Sequence, residues 1–284
     1  MKWALVLSGG GARGLAHIGV LEILEEMGAP KPSFIAGTSM GAIVGGMYAC
    51  GMSTQAMRAF VGKKIGILDF MSDAAYNHPG LPVGKFFKIG NGITNLFSAP
   101  GIDTGEKMEE LLVSLTDGIN IQETAIPFAC NATDLCTGEE VVFSAGPMAR
   151  AIRASSSFPG IFCPLADNGR MLADGYLCHN LPVWIARRAG YRAILALDTG
   201  AFADMEGPQL RTAVDVLMRS FDCAVHRQKR TGTDRARLTL DLQNDRWPFD
   251  FRDPQDQIDF GRETAQKRER DLCRFFRLPY RTTR

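Results

Sequence analysis

Residues 3–7, Trp-Ala-Leu-Val-Leu, form an unbroken apolar run that stops at Ser8 and three consecutive glycines. A strand with one wet face alternates apolar and polar side chains; a run without alternation suits a central parallel strand buried on both faces. After the glycines, Leu15, Ile18, Leu21, Leu24 and Met27 recur at helical spacing, Glu22, Glu25 and Glu26 face away from that stripe, and Gly28 stands where such a helix would end. A second short strand over 33–36 and a Gly- and Ala-rich helix over 40–50, closed by Gly51, repeat the pattern. The alternation predicts a three-layer α/β/α domain with a mostly parallel central sheet and right-handed crossovers.

The rhythm breaks over 64–104, a stretch rich in Gly, Pro and large apolar residues including Phe70, Phe86, Phe87 and Phe97. Segments of this length and composition act as lids or binding segments, or pack as an irregular layer on a core. Asp103 or Thr104 is placed to cap a helix over 106–115. Beyond it, 128–133 and 140–144 flank Thr137 and Gly138 as a hairpin, with Asp134 and Glu139 read as turn residues rather than metal ligands. A helix is expected over 147–154, a short strand at 172–173 leading into Asp174 and Gly175, a helix over 182–189 and a buried strand over 193–197. A long helical pattern over 209–230 opens a part without motifs. The expected organisation is one α/β domain over 1–205 and a mostly helical extension over 206–284 packed on it.

A balance of 32 basic against 31 acidic residues, net +1, makes no electrostatic case for a nucleic-acid partner. The last stretch is less even: basic residues at 262, 267, 268, 270, 274, 277, 281 and 284 meet acidic ones at 263, 269 and 271 only. Such a tail is either solvated or leans on an anionic surface. The seven cysteines, at 50, 130, 136, 163, 178, 223 and 273, form no CxxC pair and no zinc pattern, which points to reduced thiols and no metal site. The opening apolar run falls short of the roughly 7 to 15 residues of a signal-peptide core, and nothing approaches the roughly 18 of a membrane span. The expectation is a cytoplasmic protein that meets a membrane at most peripherally and needs no cofactor.

Gly37-Thr38-Ser39-Met40-Gly41 is a GxSxG pentapeptide between an expected strand and an expected helix. A serine on that tight turn projects its hydroxyl clear of the backbone, the glycines remove clashing side chains, and the helix N-terminus favours developing negative charge. The plainer alternative is a helix-capping serine. Gly9-Gly10-Gly11-Ala12-Arg13-Gly14 matches GxGxxG after the first strand, the place of a dinucleotide fingerprint. That reading wants a carboxylate at the end of strand two, where Ala36, Gly37, Thr38 and Ser39 stand instead. A P-loop fails because Leu15 follows Gly14 where lysine is required. Glycine-loop amides opening a helix also cradle an oxyanion, and then the two motifs make one site at neighbouring strand ends.

The set GGGARG at 9–14, GTSMG at 37–41, the run 154–164 with Ser155, Pro159, Phe162 and Pro164, and Asp174-Gly175 resembles the patatin-like phospholipases, especially short bacterial ones, over about residues 4–200. The resemblance implies a patatin-like fold, Ser39 as nucleophile, Asp174 as base, Gly10 and Gly11 amides as oxyanion donors, and Arg13 steadying the loop or a phosphate group. Tyr176 departs from the family's Asp-Gly-Gly or Asp-Gly-Ala and leaves the substrate more open than the chemistry. The implied substrate is a lipid or other acyl ester: Ser39 attacks the carbonyl, Asp174 takes its proton, and water frees the acyl enzyme. An aspartate of ordinary pKa, about 3.9, is a weak base and needs desolvation to serve without histidine. His17 reads as structural, His78 and His226 as exposed, and His179 as a hydrogen-bonded loop residue, although Ser39, Asp174 and His179 or His226 satisfy the order of a hydrolase triad. The rival functions are a catalytically idle lipid-binding relative and a dinucleotide-dependent oxidoreductase.

Overall fold

The computed structural model describes residues 1–62, 100, 101, 103–200, 213–228 and 235–280. Phe70, His78, Phe86, Phe87 and Phe97 of the irregular stretch, residues 209–212, 229 and 230 of the expected C-terminal helix, and Arg281 and Arg284 of the tail lie outside the described residues.

The strands are β1 (Ala4–Leu7), β2 (Phe34–Gly37), β3 (Phe128–Asp134), β4 (Glu140–Phe143), β5 (Leu165–Asp167), β6 (Arg170–Asp174), β7 (Ile194–Asp198) and β8 (Leu238–Asp241). They form one sheet in the order β5-β6-β3-β2-β1-β7-β8, with β4 paired to β3 off that path. The pairs joining β3, β2, β1, β7 and β8 are parallel; β4, β5 and β6 pair antiparallel at one end. The unbroken apolar run becomes β1 in the middle of the sheet, and its residues sort by size across the two faces. Leu5 and Leu7 join Ile35, Phe128, Leu195, Leu197 and Leu240 in the large core. Ala4 and Val6 join Ala36, Ala129 and Ala196 in a thinner layer closed by Val183, Ile185 and Ala186.

That thinner layer is covered by a short helix over Val183–Arg188. Over the large face, the described helices include α1 (Ala16–Glu26), α2 (Met40–Ala49), α3 (Thr54–Gly62), α4 (Glu106–Leu115) and α5 (Met148–Ser155). The remaining ones are α6 (Tyr176–His179), the Val183–Arg188 helix as α7, α8 (Ala213–Gln228), α9 (Pro254–Lys267) and α10 (Glu269–Phe276). The cap of α4 is Gly105 rather than Asp103 or Thr104; Asp103 instead takes the Gly105 N–H at 2.6 Å and shapes the turn before it.

The expected solvent face of α1 is partly covered. Ala16 through Leu24 are all buried, because α9 lies across the helix from outside. A Cβ on Gly19 would collide with Ile258 O, and one on Gly261 with Ala16 O, so the two helices cross backbone to backbone. Glu22 sits under that crossing and takes Arg58 Nε at 2.6 Å and Arg262 Nη1 at 3.1 Å; Glu25 and Glu26 remain exposed. The C-terminal part also contributes β8 to the sheet. Trp3 holds α10 by edge contacts to Phe275 and Phe276, centroids 6.1 and 4.9 Å away.

Candidate active site

Ser39 and Asp174 stand far apart in sequence, and the register of β3 brings them together. Gly37, at the end of β2, pairs with Cys130; Ala132, two residues further along β3, pairs with Asp174. Ser39, two residues beyond Gly37, therefore reaches the height of Asp174 on the other side of β3. Its backbone is in a region other residues avoid, φ 52° and ψ −122°, the strained turn that lifts a side chain off a strand end. Gly41 lets the turn close: a Cβ there would press on Leu7 O and Ser8 O of the neighbouring strand. The Ser39 N–H donates to Ser155 Oγ at 2.9 Å.

Asp174 has no exposed surface. Desolvation pushes its carboxyl up to about 7, against the Tyr176 N–H and the Ser39 hydroxyl, which hold it down. Oδ1 accepts from Tyr176 N at 2.9 Å. Oδ2 has no partner of good hydrogen-bond geometry, and the Ser39 hydroxyl acts on the carboxyl as a close polar neighbour rather than through a formed bond. The acid turn is fastened to the nucleophile turn through Asn131 inside β3. Asn131 Oδ1 accepts from Thr38 Oγ1 at 2.6 Å, and its Nδ2 donates to His179 O at 2.9 Å.

The glycine loop lies against the same point: a Cβ on Gly9 would stand 3.0 Å from Ser39 Cβ. Gly11–Leu15 is a 3₁₀ turn running into α1. The Gly9 and Ala12 amides are taken by Asn180 O (3.2 Å) and Pro248 O (2.7 Å), while no hydrogen bond of the described residues uses the Gly10 or Gly11 amide. A loop whose Ala12 amide and Gly11 flank are occupied by Pro248 leaves a pyrophosphate little room. Gly14 packs on Met40. The Arg13 guanidinium is held among Asp222, Tyr176 and Asp198, and burial pushes its pKa down; its Nε is without a partner.

Gly175 packs against Asn131 with no space for a Cβ. Tyr176 opens α6, donates its hydroxyl to Asp222 of α8, and carries its ring to Phe158, 6.0 Å between centroids. Phe158 meets Phe249, and Phe249 meets Trp247, so an aromatic wall stands beside the acid.

No described histidine bonds to Ser39 or Asp174. His17 is buried with its pKa pushed down to about 4 by desolvation. It is therefore neutral, and donates Nε2–H to Ser8 O at 2.9 Å. His179 lies in α6 rather than a loop, its Nδ1 2.6 Å from Glu140 Oε2. The His226 side chain is outside the described residues. Asp134 takes the Cys136 N–H and the Thr137 hydroxyl, as a turn former does.

The patatin-like phospholipase family model matches residues 5–187, well over half of the chain. The chain belongs to the patatin-like phospholipase family. Its relatives include the lysophospholipase NTE1 of Mycosarcoma maydis, 35% identical over 208 residues, which are 72% of this chain and 10% of that protein. A protein of Mycobacterium tuberculosis named as an uncharacterized NTE family protein is 35% identical over 205 residues, 72% of this chain and 50% of its own length. The chain thus spans half or less of these two relatives. Among solved structures, VipD from Legionella pneumophila superposes with a TM-score of 0.54 at 15% identity, covering 94% of this chain and 66% of that one, a likeness of fold.

In this patatin-like chain the residues at both motifs stand out in the sequence, and the polar ones that hold them do not. Asn131 carries a usable signal, a carboxamide inside the buried strand Phe128–Asp134, where a polar group must find partners. Asn180 and Thr199 carry none, being ordinary polar residues just after structured segments.

Proposed function

We propose that the chain is a serine acyl hydrolase acting on lipid acyl esters, with Ser39 as nucleophile, Asp174 as sole base and the Gly10 and Gly11 amides as oxyanion donors. The observation that carries this is a fully buried Asp174 with an unpartnered Oδ2 and a carboxyl pushed up to about 7, beside a serine on a strained strand-to-helix turn. A base poised near neutrality accepts the hydroxyl proton as attack proceeds and returns it to the leaving group. Free amides where the glycine loop enters the 3₁₀ turn ahead of α1 meet the charge that develops on the carbonyl oxygen. The wall of Tyr176, Phe158, Phe249 and Trp247 offers apolar surface for an acyl chain. A lysophospholipid is the first substrate to try, since the NTE1 relative is named for that activity.

Among the described residues no helix is long and apolar enough to cross a membrane, so the reading includes peripheral contact with a lipid surface. The test is a fluorophosphonate probe with an ester series of increasing chain length, on wild type and Ser39→Ala in parallel. Labelling and turnover that vanish together in Ser39→Ala support the reading. An unlabelled wild type that still binds lipid favours an idle relative.

A further inference from the structure

Two consecutive peptide groups of the glycine loop, Ser8–Gly9 and Gly9–Gly10, have their hydrogen-bonding directions fixed by buried residues outside both motifs. The Ser8 carbonyl accepts from His17 Nε2 at 2.9 Å. The Gly9 N–H donates to Asn180 O at 3.2 Å. The Gly9 carbonyl accepts twice, from Thr199 Oγ1 at 2.9 Å and from Asn180 Nδ2 at 3.3 Å. Thr199 has no exposed surface and Asn180 has 2%, so water does not compete for these bonds.

The proton count makes the arrangement directional. The one hydroxyl hydrogen of Thr199 goes to Gly9 O, so at the 3.1 Å contact between Ser8 Oγ and Thr199 Oγ1 it is Ser8 that donates. Ser8 Oγ in turn accepts the Thr199 N–H at 2.8 Å. A neutral His17 completes the set, because only its protonated Nε2 can serve the Ser8 carbonyl.

In a planar trans peptide the N–H of one residue points opposite to the C=O of the residue before it. With the Gly9 carbonyl drawn toward Thr199 and Asn180, the Gly10 N–H is turned the other way, and no described group uses it. Gly9 itself lies against Ser39. We infer that Thr199, with Asn180 beside it, is a positioning residue that fixes the rotation of the Gly9–Gly10 peptide and so aims the Gly10 N–H at the oxyanion formed on Ser39. The inference rests on the reading of the glycine loop as an oxyanion hole. Backbone donors help in proportion to how well they are held in place before reaction, since a freely turning peptide must be ordered during it.

The experiment compares wild type, Thr199→Val, Thr199→Ser and Ser39→Ala on one soluble acyl ester, with thermal melts to establish folding. Thr199→Val keeps the shape and removes the hydroxyl; kcat should fall about 10- to 100-fold, short of the roughly 10²- to 10³-fold that losing a donor costs. KM should stay within about threefold and fluorophosphonate labelling should slow by a similar factor to kcat, because a transition-state interaction is lost. The pH midpoint of kcat/KM should not move, since the base is untouched, and Thr199→Ser should recover most of the rate. A folded Thr199→Val with wild-type kcat, a loss confined to KM, a shifted midpoint, or a Thr199→Ser as impaired as Thr199→Val overturns the inference. Activity surviving in Ser39→Ala removes the hydrolase reading beneath it, so the two failures are distinguished.

Discussion

A carboxyl without exposed surface, pushed up to about 7, keeps its proton where an ordinary aspartate has lost it. If Asp174 is the base, kcat/KM should climb with pH through a midpoint near 7 and then level off, and Asp174→Asn should lose roughly 10²- to 10⁴-fold. Single Gln replacements of His17, His78, His179 and His226 should cost less than about tenfold; His179→Gln or His226→Gln matching Asp174→Asn in a folded protein would establish a triad. The raised affinity for the proton also acts on stability. The folded carboxyl binds its proton more tightly than the unfolded one, so stability falls as pH rises from about 4 to about 7 and is constant beyond. Asp174→Asn should therefore melt above wild type at pH 8, by a few kcal/mol at about 1.4 kcal/mol for each tenfold difference in proton affinity, with the gap gone below pH 4. Ser39 stores strain of another kind, a positive φ. Ser39→Gly should be more stable than Ser39→Ala by about 1 kcal/mol in denaturant midpoints, with both inactive.

The crossing of α1 and α9 depends on two glycines, each lying against the other helix's backbone. Gly261→Val should cost about 1 to 3 kcal/mol or force the helices apart, readable as a lowered melting midpoint; an unchanged midpoint would show that the crossing yields freely. This element marks the limit of what the sequence discloses. The periodicity of Leu15, Ile18, Leu21 and Leu24 identifies α1 and its inner stripe, and the turn residues of 37–41 place the elbow before α2. Nothing local tells that Glu22 will meet Arg58 and Arg262, because periodicity records that a face is buried and not which distant segment buries it. For the same reason β8 is invisible: four residues paired to β7 along one edge look no different from a loop in a mostly helical stretch. The site divides likewise. Ser39 and the glycines announce themselves through turn chemistry and Asp174 through the family resemblance of its motif, whereas Tyr176 finding Asp222 of α8 depends on packing alone.

The family-matched span ends at residue 187, yet the site is closed by chain beyond it. Pro248 sits on the glycine loop, Phe249 joins the aromatic wall, and β7 and β8 complete the sheet. A fragment covering 1–205, the expected domain, is predicted to aggregate or lack cooperative melting and to resist fluorophosphonate; a soluble, labelled fragment would show that the extension is an accessory. The order of strands also bears on how the chain is made. β1 leaves the ribosome shortly before its neighbour β2, but its other neighbour β7 lies roughly 190 residues downstream. At about 5 to 20 residues per second, one edge of the most apolar strand waits about ten to forty seconds for its partner. During that interval the nascent chain offers an unpaired, uncharged β-edge, so its yield in cells should depend on ribosome-associated chaperones more than its final stability suggests.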